Sequence, residues 1–378
     1  MNFPTDWESI LSRVDAIEPV TYGKTRNYID GKVTQLSPYI SRGVISTKFV
    51  VNRLLQKGWK AKEIEGLIQQ LTWRDYFQRV WQRLEIDPNL NINSDIYQVQ
   101  EKVRTQEIPN ALVEAQTSIA AIDKAINELY SSGYMHNHLR MYVAALSCNI
   151  GQTHWKLPAQ WMYYHLLDAD WASNALSWQW VAGTFSKKKY VANQSNINKF
   201  TGIQQKSTYL DIEYEDFAHL DVPKILQETT IPSLKTKLPK VDSISINEAL
   251  PTYVYTFYNL DPYWDKDTPA NRILLLEPSH FEQYPISEKT MNFTLELAKN
   301  IANIQIFVGE FKEFIDQFKV DNIASIHFKE HPTNNHFRGI LHERDWIFPT
   351  IKESSGSFFK YWKLAEKEIA KRGEFYFE

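Results

Sequence analysis

Residues 166–183 read LLDADWASNALSWQWVAG, and this stretch decides how the chain is understood. Trp171, Asn174 and Trp178 recur at i, i+3 and i+7, so on a helix they form one stripe that joins two indoles to an amide. Asp170 stands at the helix entrance, where a short carboxylate caps the first turn, and Asp168 just before it is left to accept from other donors. Spacing alone favours a capped core helix with aromatic packing over a binding site. Upstream, residues 134–146 read YMHNHLRMYVAAL and place Asn137, Arg140, Met141 and Ala144 on one helical face. A purely structural helix rarely buries an amide, a guanidinium and a thioether together.

Outward from this region the texture is helical. Segments 45–58, 62–84, 110–132, 158–168 and 170–182, with 134–150, carry apolar residues at helical spacings, so an all-helical domain is expected over 1–220. Residues 222–251 hold four prolines in 30 positions and little periodicity, which reads as a linker or crossing segment over 221–262. Beyond it, β-rich runs at 272–277, 304–308 and 323–328 alternate with helical stretches at 287–301 and 309–318, and a last helix is expected at 357–371. That alternation predicts a small parallel α/β domain over 263–378, and the fold class expected is α plus α/β.

Composition narrows the function. The 378 residues include 12 Trp, 20 Tyr and 20 Phe, which together outnumber the 42 Lys and Arg. Cys148 is the one cysteine, so an intramolecular disulfide and an iron–sulfur cluster are both excluded. No run approaches the length of a membrane span and the amino terminus lacks an apolar signal core, so no membrane partner and a cytoplasmic location are expected. With a net charge of −3, the whole-chain field does not draw this protein to nucleic acid, and any such contact needs a local patch. Lys187, Lys188 and Lys189, followed by Lys199 and Lys206 with no acid before Asp211, are the candidate. Three consecutive lysines by themselves read as a solvated loop. Neither a dinucleotide fingerprint nor a P-loop occurs. His327, Glu330 and His331 match an H-x-x-E-H zinc pattern in letters, but that motif needs a helix, and here it follows a β-like run and meets Pro332; no metal is expected. Ser354, Ser355, Gly356 and Ser357 read as a loop.

MHNHLRM at 135–141, the spacing from Trp155 to Asp168, and DADWASNALSWQWVAG at 168–183 resemble the flavin-binding domain of the DNA photolyase/cryptochrome family. The resemblance extends to Tyr22 and Arg26, to VTQLSPYISRGVIS at 33–46 and to QLTWRDYF at 70–77, covering about residues 20 to 205 in order.

The resemblance implies a site for FAD. Thr34, Gln35, Leu36 and Ser37 match the turn that holds the flavin diphosphate, with Tyr22 and Arg26 flanking the same cofactor. Arg140 and Asp168 match the pair beside the isoalloxazine, Asp170 matches a second acid, and Asn174 matches the residue facing flavin N5, where asparagine is typical of photolyases. Trp178 and Trp155 match the first two tryptophans of the family's electron-transfer chain. The third falls near Lys102, which leaves Tyr97 or Trp171 as a substitute. Trp73 and Trp180 match the walls against which a flipped dimer stacks, while Asn137 and Met141 match the cyclobutane-dimer pattern. Gln70 stands where those enzymes usually carry glutamate.

The family normally places its α/β antenna domain before the flavin domain, whereas here the α/β unit follows, as a possible rearranged antenna half in which a second chromophore is left open. These matches lead to the expectation of a monomeric light-dependent repair enzyme acting on UV-damaged DNA, with phosphates gripped by Lys187, Lys188, Lys189 and Arg42. The rival expectation is a cryptochrome-like blue-light photoreceptor without repair activity.

Overall fold

The computed structural model describes residues 2–87, 90–318, 325–352 and 357–372. Of the serine-rich run, residues 354–356 lie outside the described residues. The chain forms two compact units whose segments interleave. The first comprises Thr21–Val33 and Arg83–Leu234, the second Asn2–Val20, Thr34–Gln82 and Lys235–Glu378. A single boundary at 220 therefore does not describe the division. Among the described residues, no helix is long and apolar enough to cross a membrane.

The first unit is built from helices. Ala120–Ser132 buries Ala121, Ile122, Ala125, Ile126 and Leu129 along one stripe and stops at Gly133, whose φ of 72° is the left-handed turn that glycine adopts cheaply. The expected helix over 110–132 is in fact two, Asn110–Val113 and Ala120–Ser132. Between them Ala115 and Ser118 have positive φ, and the Thr117 N–H bonds to Asp123 rather than to a helical carbonyl. Asn137–Ala145 runs on into a π turn at Leu146–Ile150. Trp171–Ala182 is buried on most of its circumference, including Trp171, Asn174, Ala175 and Trp178, so it is the central helix of this unit. A short antiparallel ladder joins β1 (Ile108–Pro109) to β2 (Thr229–Thr230), which ties part of the proline-rich segment into the first unit.

The second unit is organised by a five-stranded sheet of β3 (Thr252–Tyr255), β4 (Asn271–Leu276), β5 (Ile304–Val308), β6 (Ile326–Lys329) and β7 (Ile340–His342). Its order is β5-β4-β3-β6-β7 and every neighbouring pair is parallel. The central strand, β3, falls inside the segment read as linker. Four residues, all buried and largely aromatic, are too few to show a periodicity. Val254, Ile273, Leu275, Ile326 and Phe328 pack with Phe311, Phe314 and Phe337 to form the core on one side of the sheet. The strand order reverses at β3, and such a reversal opens a crevice beyond the carboxyl ends of the strands on either side. A cavity of about 230 Å³ lies there, beyond the ends of β3 and β6.

Residues 2–20 and 34–82 join the sheet through polar bonds. The Trp7 N–H donates to Asn300 Oδ1 at 2.9 Å, Arg344 Nη1 to Gln78 Oε1 at 2.6 Å, and the Ile347 N–H to Asp75 Oδ2 at 3.1 Å. Asp75 also accepts from the Thr47 hydroxyl at 2.8 Å. Burial pushes the Asp75 carboxyl up to about 6 from its ordinary 3.8. The folded state therefore holds this proton more tightly than the unfolded state, so ionisation opposes folding and stability is lost as pH rises from about 4 to about 6. Urea titrations across that window should show wild type losing on the order of 2–3 kcal/mol relative to Asp75→Asn, which removes the titration. Parallel pH profiles for the two proteins would contradict this assignment.

Candidate functional site

Arg140 is fixed from two directions. Its Nη2 and Nη1 donate to Asp168 Oδ2 and Oδ1 at 2.7 and 3.3 Å, and its Nε donates to the Met135 carbonyl at 2.9 Å. Fork-to-fork contact orients as well as attracts, so the guanidinium plane is set by the protein. Asp168 is 6% exposed and Arg140 21%, which makes this a largely buried pair. Between Asp168 and Asp170, Ala169 has φ 23°, a conformation L residues rarely adopt. The bend lets Asp170 turn inward as the cap of Trp171–Ala182, accepting from the Ser173 N–H at 3.0 Å, while Asp168 faces Arg140.

Asn174, buried one turn into that helix, donates from Nδ2 to the Ala159 carbonyl at 2.8 Å, which fixes its amide. His136 caps Asn137–Ala145 and interacts with the backbone of Arg26, so the segment carrying Tyr22 and Arg26 neighbours the start of the helix that carries Arg140. Burial pulls His136 down to about 4 and pushes the Tyr22 hydroxyl up to about 12, so both are neutral at ordinary pH. Tyr22, Arg26, Arg140, Asp168, Asp170 and Asn174 all belong to the first unit.

Thr34, Gln35, Leu36 and Ser37 belong to the second unit. There the Leu36 N–H donates to Thr34 Oγ1 at 3.4 Å, Gln35 sits at φ 54° with its side chain accepting from Arg13 at 2.8 Å, and Ser37 opens a short helix, Ser37–Ser41.

Trp155 and Trp171 of the first unit are held by their indole N–H groups. Trp155 donates to Asp95 at 2.7 Å and Trp171 to Asn93 at 2.9 Å, with the two rings 6.5 Å apart at 32°. Trp178 is buried. Trp171, one of the two substitutes considered for a surface tryptophan, is 1% exposed and cannot serve at the surface. Tyr97 is 54% exposed and stacks on Phe185 at 5.1 Å. Lys102 donates to the Ala218 carbonyl at 3.2 Å. Asp95 and Asn93 escaped the sequence reading, since an acid and an amide in an irregular segment carry no pattern.

Of the residues matched to lesion contacts, Asn137 is exposed, Met141 half-buried, and Trp180 38% exposed with Tyr190 tilted against it at 5.8 Å. In the second unit Trp73 is already stacked. The Phe358 ring lies 3.5 Å from it at 12°, so one face of the indole is covered from within the chain. Gln70, three residues earlier on the same helix, is half-buried.

Lys187, Lys188 and Lys189 are exposed, and Lys189 lies 3.6 Å from Glu101. Arg42 does not grip phosphate as expected. It is fully buried with its guanidinium 3.3 Å from the Phe257 ring centroid, because the cation is used to pack an aromatic face, and it cannot reach a phosphate. His327 lies on β6 and His331 is buried against Tyr258 at 4.2 Å, so the two do not share a helical face. The cavity beyond β3 and β6 is lined by charges that are already paired, Lys329 with Asp261 at 2.8 Å and Arg344 with Glu330 at 2.8 Å.

Residues 67–238 match the family described as the FAD binding domain of DNA photolyase. A deoxyribodipyrimidine photo-lyase of Vibrio cholerae is 30% identical over 157 residues, 40% of this chain and 33% of that protein. A chloroplastic/mitochondrial cryptochrome DASH of Ostreococcus tauri is 28% identical over 188 residues, 48% of this chain and 33% of that protein. The chain thus spans about a third of the length of these curated relatives. Among solved structures, the cryptochrome of Synechocystis sp. aligns with 24% identity and a TM-score of 0.44, covering 53% of this chain and 44% of that one.

Asp168→Ala should strand the Arg140 guanidinium and cost about 3 kcal/mol, whereas the double variant Arg140→Met with Asp168→Ala should recover part of the loss. Urea midpoints of the two singles and the double test this; purely additive losses would mean that the pair is not coupled.

Proposed function

From the match of residues 67–238 to the FAD binding domain of DNA photolyase, we propose that this chain is a light-dependent DNA repair flavoprotein of the photolyase/cryptochrome family that splits cyclobutane pyrimidine dimers. The observation that carries this reading is that the Arg140–Asp168 fork and the Asn174 amide, all in the first unit, are each fixed by hydrogen bonds. A flavin ring needs a cation, a carboxylate and an amide held at set angles, and these three are each immobilised by hydrogen bonds before any ligand arrives. When bound, reduced FAD supplies the light-driven electron. Arg140 and Asp168 would set the charge beside the ring, Asn174 would present its amide to it, and Tyr22 would offer a neutral hydroxyl. Asn137 and Met141 lie one turn apart and would contact the lesion with Trp180, whose exposure suits stacking of an extruded base. Lys187, Lys188 and Lys189 would take backbone phosphates, which makes binding salt-dependent despite a net charge of −3.

A photoreceptor without repair activity is the second reading. It is favoured by the Phe358 stack on Trp73 and by Gln70, an amide that cannot share a proton with a damaged base.

Incubating the reduced, flavin-loaded protein with a thymine-dimer oligonucleotide under blue light should restore thymine. Absence of light-dependent restoration with FAD bound would sink the repair reading, and purification without flavin would sink both. Should Trp73 serve as a stacking wall through the face that Phe358 covers, Phe358 has to leave it, so Phe358→Ala is expected to raise the restoration rate several-fold. A folded, flavin-loaded Phe358→Ala protein with a lowered rate would remove Trp73 from the lesion site.

A further inference from the structure

Trp155 presents its indole N–H to a carboxylate. The Nε1–H donates to Asp95 Oδ1 at 2.7 Å while the ring is fully buried. Asp95 is itself held in place, since Oδ2 accepts from the Gln100 N–H at 2.9 Å and the Gln100 side chain accepts from the Trp155 N–H at 3.0 Å. The carboxylate and the backbone of the tryptophan it serves are thus locked through one glutamine.

On the far side of the same Oδ1 lies His154 Nε2 at 3.4 Å. His154 Nδ1 accepts from the Lys156 N–H at 3.3 Å, so the ring proton sits on Nε2 and faces Asp95. Burial outweighs Asp95 and holds His154 below the usual histidine range, so the ring is neutral at ordinary pH and does not cancel the carboxylate charge. Both Asp95 and His154 are partly exposed, which gives the buried indole a polar route outward of two side chains.

We infer that Asp95 is the proton acceptor for Trp155 when Trp155 is oxidised, so that the hole is held there as a neutral radical and no third, surface tryptophan is needed. This rests on the flavin-site reading, in which the light-excited oxidised flavin is the oxidant. The resemblance supplies the route on that reading: Trp178 would give the flavin one electron and would be refilled by one electron from Trp155. Trp155 stands at the start of Lys156–His165, the helix whose Ala159 carbonyl is bonded by Asn174 of Trp171–Ala182. Loss of an electron turns the indole N–H into an acid. The Nε1–H bond breaks, an O–H bond forms at Asp95 Oδ1, and the indole becomes a neutral radical. One electron has then reached the flavin and one proton has reached Asp95. The transfer needs no rearrangement, because the donor and acceptor already stand at hydrogen-bond distance. A charge-neutral radical no longer attracts the electron back as a cation would, so the separated state lives longer.

Transient absorption on the flavin-loaded protein tests this through the indole signal rather than through repair. Wild type should show the cation-radical band converting to that of the neutral tryptophan radical, more slowly in heavy water. Asp95→Asn, which keeps an acceptor oxygen but cannot take the proton, should leave the cation radical and shorten its lifetime several-fold; Asp95→Glu should restore the conversion. Trp155→Phe should abolish both bands at this step. A neutral radical formed at the wild-type rate in Asp95→Asn, or a wild-type rate indifferent to heavy water, would overturn the inference while leaving the flavin reading intact. A protein that binds no flavin fails at the earlier reading. The Trp155 indole N–H resonance, recorded without light, checks that Asp95→Asn keeps the fold and the bond.

Discussion

In the first unit a guanidinium and a carboxylate are withdrawn from water together, and each fixes the orientation of the other. Neither Arg140 nor Asp168 is stable at that depth alone, and their attraction offsets the desolvation only while the geometry is good. The local backbone meets that condition on both sides. Met135 lends a carbonyl to Arg140 Nε, and Ala169 accepts an unfavourable φ so that Asp168 can face the cation while Asp170 caps the next helix. Strain at Ala169 is held by a residue with no exposed surface, surrounded by packed neighbours that over-determine it. From that bend the helix Trp171–Ala182 takes its direction, and with it the positions of Asn174, Trp178 and Trp180.

The aromatic richness of the chain divides by environment. Trp155, Trp171 and Trp178 are buried, and for the first two the indole N–H is given to a named polar partner, as buried tryptophan requires. Trp73, Tyr76, Phe77, Phe358, Tyr361 and Trp362 form a separate cluster in the second unit, in which the last helix, Phe358–Arg372, buries its aromatic face. An indole stacked at 3.5 Å is already satisfied, and a second flat partner on that face has to compete with a tethered one. The tether matters because Phe358 faces no loss of translational freedom on binding, whereas an incoming base does.

The helix within 166–183 is legible because Asp170 caps a run of apolar and small residues, and residues 287–301 and 309–318 are legible from apolar residues at helical spacing. The short strands β3 and β7 are not, since three or four residues carry no period, and β3 follows a proline-rich segment that reads as a connector. Nor does local pattern reveal that residues 2–20 and 34–82 pack with a sheet formed hundreds of residues later. Those contacts, such as Ile347 to Asp75, are single polar bonds of high sequence separation. Arg140, Asp168 and Asn174 stand out through the resemblance to the family's motifs, where spacing alone favours a capped core helix, but Asp95 does not. Its role is defined only by what stands opposite it in space.

Charge distribution connects these points to DNA. A chain of net charge −3 has no long-range field to hold a polyanion, so contact depends on cations that are both exposed and uncommitted. Arg42 fails the first condition, being buried on Phe257, and Lys189 is partly committed to Glu101, although at a surface pair such a bond is weak enough to be exchanged for phosphate. Lys187 and Lys188 meet the first condition, a few residues beyond Trp180 at the end of the central helix. On the proposed repair reading, nucleic acid held by those lysines would stand a few residues from Trp180, the exposed indole of that helix, so that the covalent chain, rather than a broad basic surface, would set where binding and stacking coincide.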